Sequence, residues 1–230
     1  MGFLIKLAGK KLKDIKLYLD TAAEYVIEGK LIAFPTDSVY GIGGDPQNLE
    51  VINRIYDIKF RDRSKGLLLL VADIEEALKV AEFNEIAEKL AKYYWPGQLT
   101  LILKKREPTF ILPQLTAFQN TIGLRVPENK IILSILNILK SKGHFGGLIG
   151  TSANYSGEPP SISGEEVAKK ILGSIDLIID AGKSKFKFPT TIIDCTEEKL
   201  KFLRIGSITE EQISNFLSYT NNERDINEKF

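Results

Sequence analysis

Three stretches of the 230-residue chain carry polar groups from which chemistry could be built. The segment KFRDRSK (59–65) sets Lys59, Arg61, Arg63 and Lys65 at alternate positions. An extended backbone sends alternate side chains to one side, so these four cations would form a comb directly before an apolar run. A comb of this kind suits a triphosphate, which needs several donors and positive charges at once; the bland account is a solvated basic loop. GTSANYSGEPPS (150–161) gathers hydroxyl and amide groups between an expected strand and an expected helix. Ser152 and Asn154 there could donate to phosphate or a nucleoside while the glycines let the backbone bend. FPTDSVYGIGG (34–44) follows another expected strand, and loops at the carboxyl ends of strands are where open α/β sheets bind ligands. Its glycines fit neither G-x-G-x-x-G nor the Walker A pattern, so a turn built on permissive glycines is the simpler account of that loop.

Arg125, in TIGLRVP, needs a partner because an arginine buried unpaired in an apolar strand is costly. A structural Asp or Glu and a substrate carboxylate are both open at this point. His144 is the single histidine and Cys195 the single cysteine. No conventional zinc site can be drawn from them, and no motif supports a Ser-His-Asp triad. Cys195, in TTIIDCT, lacks a redox or nucleophile context and reads as a small core residue.

The elements that must position these groups follow from apolar spacing. Helical periodicity predicts helices over 13–28, 49–58, 73–81, 84–94, 129–141, 163–172 and 209–217, the last opened by Thr209 as N-cap. Apolar runs predict strands at LIAF (31–34), LLLLV (67–71), LTLIL (99–103), TIGLRV (121–126), GLIG (147–150), DLIID, TTIID and KFLRI. This alternation predicts an α/β fold, one domain with a twisted, mixed sheet over residues 1–217. Residues 218–230 offer little apolar surface and are expected to form a mobile tail. Hydrophobic residues make up 43% and charged residues 27%, as in a globular chain. Net charge is +1, so any basic surface must come from local clustering. No run approaches the ~20 apolar residues that cross a bilayer, and the N-terminus does not read as a signal peptide. A cytoplasmic protein with no membrane partner is expected.

FPTDSVYGIGG, the K-x-R of Lys59 and Arg61 with KGLLLLV, WPGQLT, TIGLRVP, TSANYSGEPP, PTTIID and LRIGSI occur in the order seen in YrdC-like threonylcarbamoyl-AMP synthases. The resemblance covers roughly residues 15–217. It implies a twisted α/β fold with a concave basic cleft, in a short form without the extra C-terminal domain of some members. It also implies a nucleotidyltransferase that condenses L-threonine, bicarbonate and ATP, with Mg²⁺, to threonylcarbamoyl-AMP and pyrophosphate. That product serves threonylcarbamoyl-adenosine (t6A37) formation on tRNA through a downstream threonylcarbamoyl transferase. Carried over position by position, Lys59 and Arg61 take the catalytic and ATP-binding roles. Thr121, Ser152, Asn154, Ser161 and Arg204 join the ATP site, Thr36 and Arg125 form the threonine site, and no protein side chain is assigned to metal. The sequence departs from relatives at Leu70, where some have histidine, at 62–64, where a proline-containing stretch is common, and in KFPTTIID, which lacks an acidic residue some relatives place there. A non-catalytic module binding double-stranded RNA or tRNA by shape and phosphate is the rival reading. The carbamoyl-transfer domain of hydrogenase-maturation proteins is a second, but its acylphosphatase and zinc-finger segments are not in this sequence.

Overall fold

The computed structural model describes residues 2–171, 175–184 and 188–227; the expected helix end at 172 and tail residues 228–230 lie outside the described residues. Helices form in each region where the apolar spacing predicts them: α1 Lys16–Ile27, α2 Leu49–Lys59, α3 Ile74–Leu78, α4 Glu85–Tyr94, α5 Lys130–Ser141, α6 Gly164–Lys170 and α7 Glu210–Asn227. The helix expected over 73–81 stops at Leu78, because Ala81 pairs as a strand with Lys105. The first turn of a helix leaves amide hydrogens without partners, and a short polar side chain at the N-cap accepts one or two of them. Asn48, Asp73, Asn84, Asn129 and Ser163 do so here. Thr209 forms a reciprocal pair with Gln212: the Gln212 amide donates to the Thr209 hydroxyl at 3.2 Å and the Thr209 amide to Gln212 Oε1 at 2.8 Å. That is a capping box. Helix α7 runs to Asn227, past residue 217 where the periodicity predicts its end.

The strands are β1 Phe3–Lys6, β2 Ile32–Phe34, β3 Gly41–Gly43, β4 Leu68–Val71, β5 Ala81–Glu82, β6 Leu99–Lys105, β7 Thr121–Arg125, β8 Gly147–Ile149, β9 Thr151–Ser152, β10 Leu177–Asp180, β11 Thr191–Asp194 and β12 Lys201–Arg204. Of these, β1, β3, β5 and β9 are not predicted by the apolar runs. The mixed pairing expected of one sheet is divided between two. One has the order β1-β10-β2-β3-β9; the other has the order β12-β11-β6-β7-β4-β8, with β5 added to β6. The chain crosses between them at Gly150, since β8 pairs with β4 and β9 pairs with β3. The sheets touch just before that crossing. The Ile149 amide donates to the Gly44 carbonyl at 2.9 Å, and a Cβ on Gly43 would stand 1.5 Å from the Ile149 carbonyl oxygen. Only a residue without a Cβ fits there.

Side chains alternate across a strand, and each sheet uses both of its faces. In the first sheet, Ile32, Phe34, Leu177 and Ile179 pack with residues of α1 and α5, while Ala33, Ile42 and Ile178 pack with Val167 of α6. In the second, Leu99, Leu101, Leu103, Ile122, Leu124, Leu69, Val71 and Ile193 enter the largest core cluster with Ile52 and Ile55 of α2 and Leu90 of α4. The intervening residues face the other way. Register aligns Arg204 with Ile192, Ile192 with Thr100, Ile102 and Leu68 with Gly123, and Leu70 with Arg125. Apart from Leu70 and Leu68, which join the core cluster of the first sheet, this second face is left out of the core, and it becomes the floor of the site.

The division of faces makes a testable statement about two neighbours in β6. Leu101→Ala removes a fully buried side chain and should cost about 2–5 kcal/mol in denaturant unfolding. Ile102→Ala, on the cleft face, should cost less than about half of that. Equal losses would show that the two faces are not distinct.

Candidate active site

A cleft of about 520 Å³ lies between the open face of the second sheet and the loops that join β2 to β3 and follow β9. The floor carries Thr100, Ile102, Thr121, Gly123, Arg125 and Leu70, and the walls bring Thr36, Ser38, Arg61, Ser152 and Asn154 to it. Arg204 and Thr190 close one side.

Arg125 is the last residue of β7 and only 5% exposed. Its Nη2 donates to Asp37 Oδ1 at 2.5 Å, Nε to the Gly97 carbonyl at 2.8 Å and Nη1 to Ser38 Oγ at 3.2 Å. Burial pulls the guanidinium below its ordinary pKa, and the Asp37 carboxylate opposes that shift by charge and hydrogen bond. A structural carboxylate is therefore present. A guanidinium has five N–H groups, and those beyond the three bonds described remain for a ligand. Asp37 is held in turn by Gln98, whose Nε2 donates to the Asp37 carbonyl at 2.6 Å. Beside it the Thr36 hydroxyl donates to the Val39 carbonyl at 2.7 Å and accepts the Ser38 amide at 3.0 Å. The Thr36 and Ser38 hydroxyls are also 3.0 Å apart; with the Thr36 proton on Val39, Ser38 is the donor of that pair, and a ligand hydroxyl would reach Thr36 by taking its place.

The four-cation comb does not form. Lys59 is the last helical residue of α2 and Phe60 takes the left-handed conformation, φ 49°, so the stretch turns instead of extending. Asp62 then accepts the Ser64 amide at 2.9 Å, an Asx turn. Of the four cations, Arg61 lines the cleft, with Nη2 on the Gly66 carbonyl at 2.9 Å. Arg63 bends back onto α2, where it donates to Asn53 and Asp57 at 2.7 Å each. Lys65 is exposed. Lys59 is 2% exposed, and its ammonium donates to the carbonyls of Ser152 and, at 2.7 Å, Asn154. Burial, then the neighbouring Arg61 charge, pushes its pKa down to about 7.

The remaining sequence candidates fall into place around the same space. Arg204 reaches in from β12, donating through Nε to the Thr190 carbonyl at 2.8 Å and through Nη2 to the Thr190 hydroxyl at 3.0 Å. The Thr190 and Thr100 hydroxyls are 2.9 Å apart. Asn154 donates from Nδ2 to the carbonyls of Tyr155 and Glu158, at 2.7 and 2.8 Å, and its Oδ1 is buried without a partner. What Asn154 has left to offer is an acceptor, where its residue type suggested a donor. Ser161 is fully buried and stands behind the wall, its amide on the Ala153 carbonyl at 3.3 Å. His144 is exposed and does not line the cleft. Cys195 is buried in the largest core cluster, and burial, then the Asp194 charge, pushes its thiol up to about 12. Among the described residues, no group of three or more His, Cys, Asp or Glu could hold a metal ion.

Residue types alone missed Asp37, Ser38, Thr100, Thr190 and Asp194, all of which line the cleft or touch a residue that does. The signal for three of them was available. Thr100, Thr190 and Asp194 are polar residues set at even spacing in otherwise apolar strands, which marks the face turned away from the core.

The family model for the Sua5, YciO and YrdC proteins, described as telomere recombination, matches residues 24–206. The threonylcarbamoyl-AMP synthase of Pyrococcus abyssi is 36% identical over 194 residues, covering 84% of this chain and 55% of that protein. The chain thus spans about half the length of that relative. A Methanocaldococcus jannaschii protein is 33% identical over 216 residues, covering 90% of this chain and 99% of its own length. The crystal structure of Pyrococcus abyssi Sua5 complexed with L-threonine superposes with a TM-score of 0.85 at 32% identity, over 93% of this chain and 60% of that one. Fold, cleft and ordered motifs agree with the match over most of the chain: it belongs to the Sua5/YciO/YrdC family.

Proposed function

We propose that the chain is an L-threonylcarbamoyladenylate synthase, a nucleotidyltransferase that joins L-threonine, bicarbonate and ATP and releases pyrophosphate. The observation that carries this reading is the content of the cleft. A buried arginine stands beside two hydroxyls, Thr36 and Ser38, and hydroxyls and cations suited to phosphate, namely Thr121, Ser152, Arg61 and Arg204, line the same cleft, with Arg204 near enough to Arg125 for the two charges to repel. The P. abyssi relative carries the synthase name, and a P. abyssi Sua5 structure contains L-threonine.

The reaction asks little covalent chemistry of the protein. The unprotonated threonine amine adds to the carbon of CO₂ and releases a proton to give a carbamate (from bicarbonate, a water is expelled instead), and a carbamate oxygen then attacks the α-phosphorus as the bond to pyrophosphate breaks. Neither step requires a side-chain nucleophile. What the residues supply is position and charge. Arg125, made rigid by Asp37, Gly97 and Ser38, would hold the amino-acid carboxylate, and Thr36 would accept from the side-chain hydroxyl in place of the Ser38 hydroxyl. Arg61 and Arg204 would balance charge on the leaving phosphates. Mg²⁺ would enter with the triphosphate and neutralise part of its charge. Such an ion keeps several waters and needs few protein oxygens, which Asp194 and Glu158 on the cleft lining could provide. The product would serve t6A37 formation on tRNA by a separate threonylcarbamoyl transferase, and a cytoplasmic site fits this role. Among the described residues no helix is long and apolar enough to cross a membrane.

Incubation with ATP, Mg²⁺, bicarbonate and threonine should yield the adenylate by mass spectrometry, together with bicarbonate-dependent pyrophosphate. Tight RNA binding without either product would favour the RNA-module reading instead.

Arg61→Ala should lower pyrophosphate release at least ~100-fold, the scale for losing a charge-stabilising donor, with little change in thermal midpoint. Near-normal turnover would return Arg61 to a loop-bracing role through Gly66.

Amino-acid choice tests the part of the cleft around Thr36 and Arg125. Valine exchanges the hydroxyl for a methyl and leaves Thr36 without its donor, so it should be the poorest substrate. Serine lacks one methyl, a difference of roughly 10- to 200-fold; Leu70, paired in register with Arg125, offers the apolar contact. The expected order is threonine, serine, valine at subsaturating concentration. Valine matching threonine would remove Thr36 from the site.

A further inference from the structure

Lys59 and Arg61 are two residues apart, yet Arg61 faces the cleft and Lys59 does not. Lys59 instead lies beneath the segment after β9. That segment is fastened to the end of α2 at four points. The Lys59 ammonium donates to the Ser152 carbonyl and, at 2.7 Å, to the Asn154 carbonyl. The Ser156 amide donates to the Lys59 carbonyl at 2.9 Å. The Phe60 ring packs on the Tyr155 ring with centroids 5.5 Å apart and planes inclined by 53°. Phe60 is 78% exposed and keeps a left-handed φ of 49°, an uncommon conformation for a bulky residue.

Two carbonyl oxygens converging on one point repel each other unless a cation stands between them. An ammonium has three donors and can satisfy both at once. We infer that Lys59 is a positioning residue, whose buried ammonium gathers the Ser152 and Asn154 carbonyls and so fixes the segment that presents Ser152 and Asn154 to the cleft. In this role it does not touch the phosphates. Arginine could not replace it, because a planar, longer fork does not fit a point-charge site that is almost fully buried. The inference rests on the nucleotide reading only for the choice of ligand. The fastening itself can be read without any ligand.

The experiment compares wild type, Lys59→Met, Lys59→Arg and Phe60→Gly by amide hydrogen exchange over 152–158 and by calorimetric titration with ATP, AMP and pyrophosphate. In Lys59→Met, exchange in 152–158 should rise at least ~10-fold while the α1 and α5 amides keep their protection. ATP and AMP should weaken by similar factors, roughly 10- to 100-fold, the scale of a lost charged hydrogen bond. Lys59→Arg should restore neither property. AMP affinity unchanged while ATP and pyrophosphate weaken, or recovery of ATP affinity in Lys59→Arg, would mean direct phosphate contact and overturn the inference. Should Lys59→Met fail to fold, Phe60→Gly at its exposed site should raise exchange in the same segment and weaken ATP and AMP together. No change in that variant would also overturn it. If wild type bound neither nucleotide but Lys59→Met still loosened 152–158, the nucleotide reading would fall and the fastening would stand.

Discussion

The close approach of two backbones at Gly43 and Ile149 is the constraint from which the rest of the architecture follows. A Cβ on Gly43 would lie 1.5 Å from the Ile149 carbonyl oxygen, and the Ile149 amide bonds the Gly44 carbonyl. One residue later the chain leaves the second sheet and enters the first. Gly150 makes that turn so close to Leu70 that a Cβ would meet its Cγ at 2.4 Å. The β2–β3 loop and the segment after β9 therefore hang from one junction, above a floor belonging to the other sheet. Sites carried on strands and joined so directly hold their geometry better than sites carried on long loops.

The floor shows how one sheet serves both stability and chemistry. Leu99, Leu101 and Leu103 build core on one face while Thr100 and Ile102 line the cleft on the other. A binding group on such a strand inherits the rigidity of the packed core behind it. Arg125 has this support and more, since three acceptors from two segments, the β2–β3 loop and Gly97, hold its guanidinium. Breaking a buried pair of this kind by removing one partner is costly, because it strands the other charge. The Asp37–Arg125 pair thus ties the β2–β3 loop to the end of β7 as firmly as it orients the arginine.

Most of the regular structure was legible from periodicity, because the helices and the long strands bury continuous apolar surface. Apart from the apolar Phe3–Lys6, the strands that escaped are two or three residues long and chemically atypical. Gly41–Gly43 carries two glycines, and Thr151–Ser152 has no apolar residue; both are strands because of the partners they meet across the junction, which no local pattern encodes. The same holds within the site. Arg125, Thr36, Arg61 and Arg204 were recognisable as polar groups of the cleft, whereas the comb of cations failed because Lys59 still belongs to the buried face of α2 and the left-handed turn at Phe60 sends Arg63 back onto that helix. Asn154 illustrates a third kind of miss, since a side chain's type is visible in sequence but which of its atoms is already bonded is not.

The pairing of cleft arginines with fixed partners has a consequence for how an anion would arrive. Arg125 is neutralised at contact distance by Asp37, Arg63 is turned outward onto Asp57, and Lys59 is enclosed. The chain as a whole carries a formal charge of +1. Arg61 and Arg204 keep their charge on the cleft lining, since the partners they have there are carbonyls and a hydroxyl. The attraction is thus local to the cleft and fades beyond the Debye length of about 8 Å at physiological salt, so the on-rate for an anionic ligand should fall as ionic strength rises. Selection happens after contact, by donors that already point where the charge will sit.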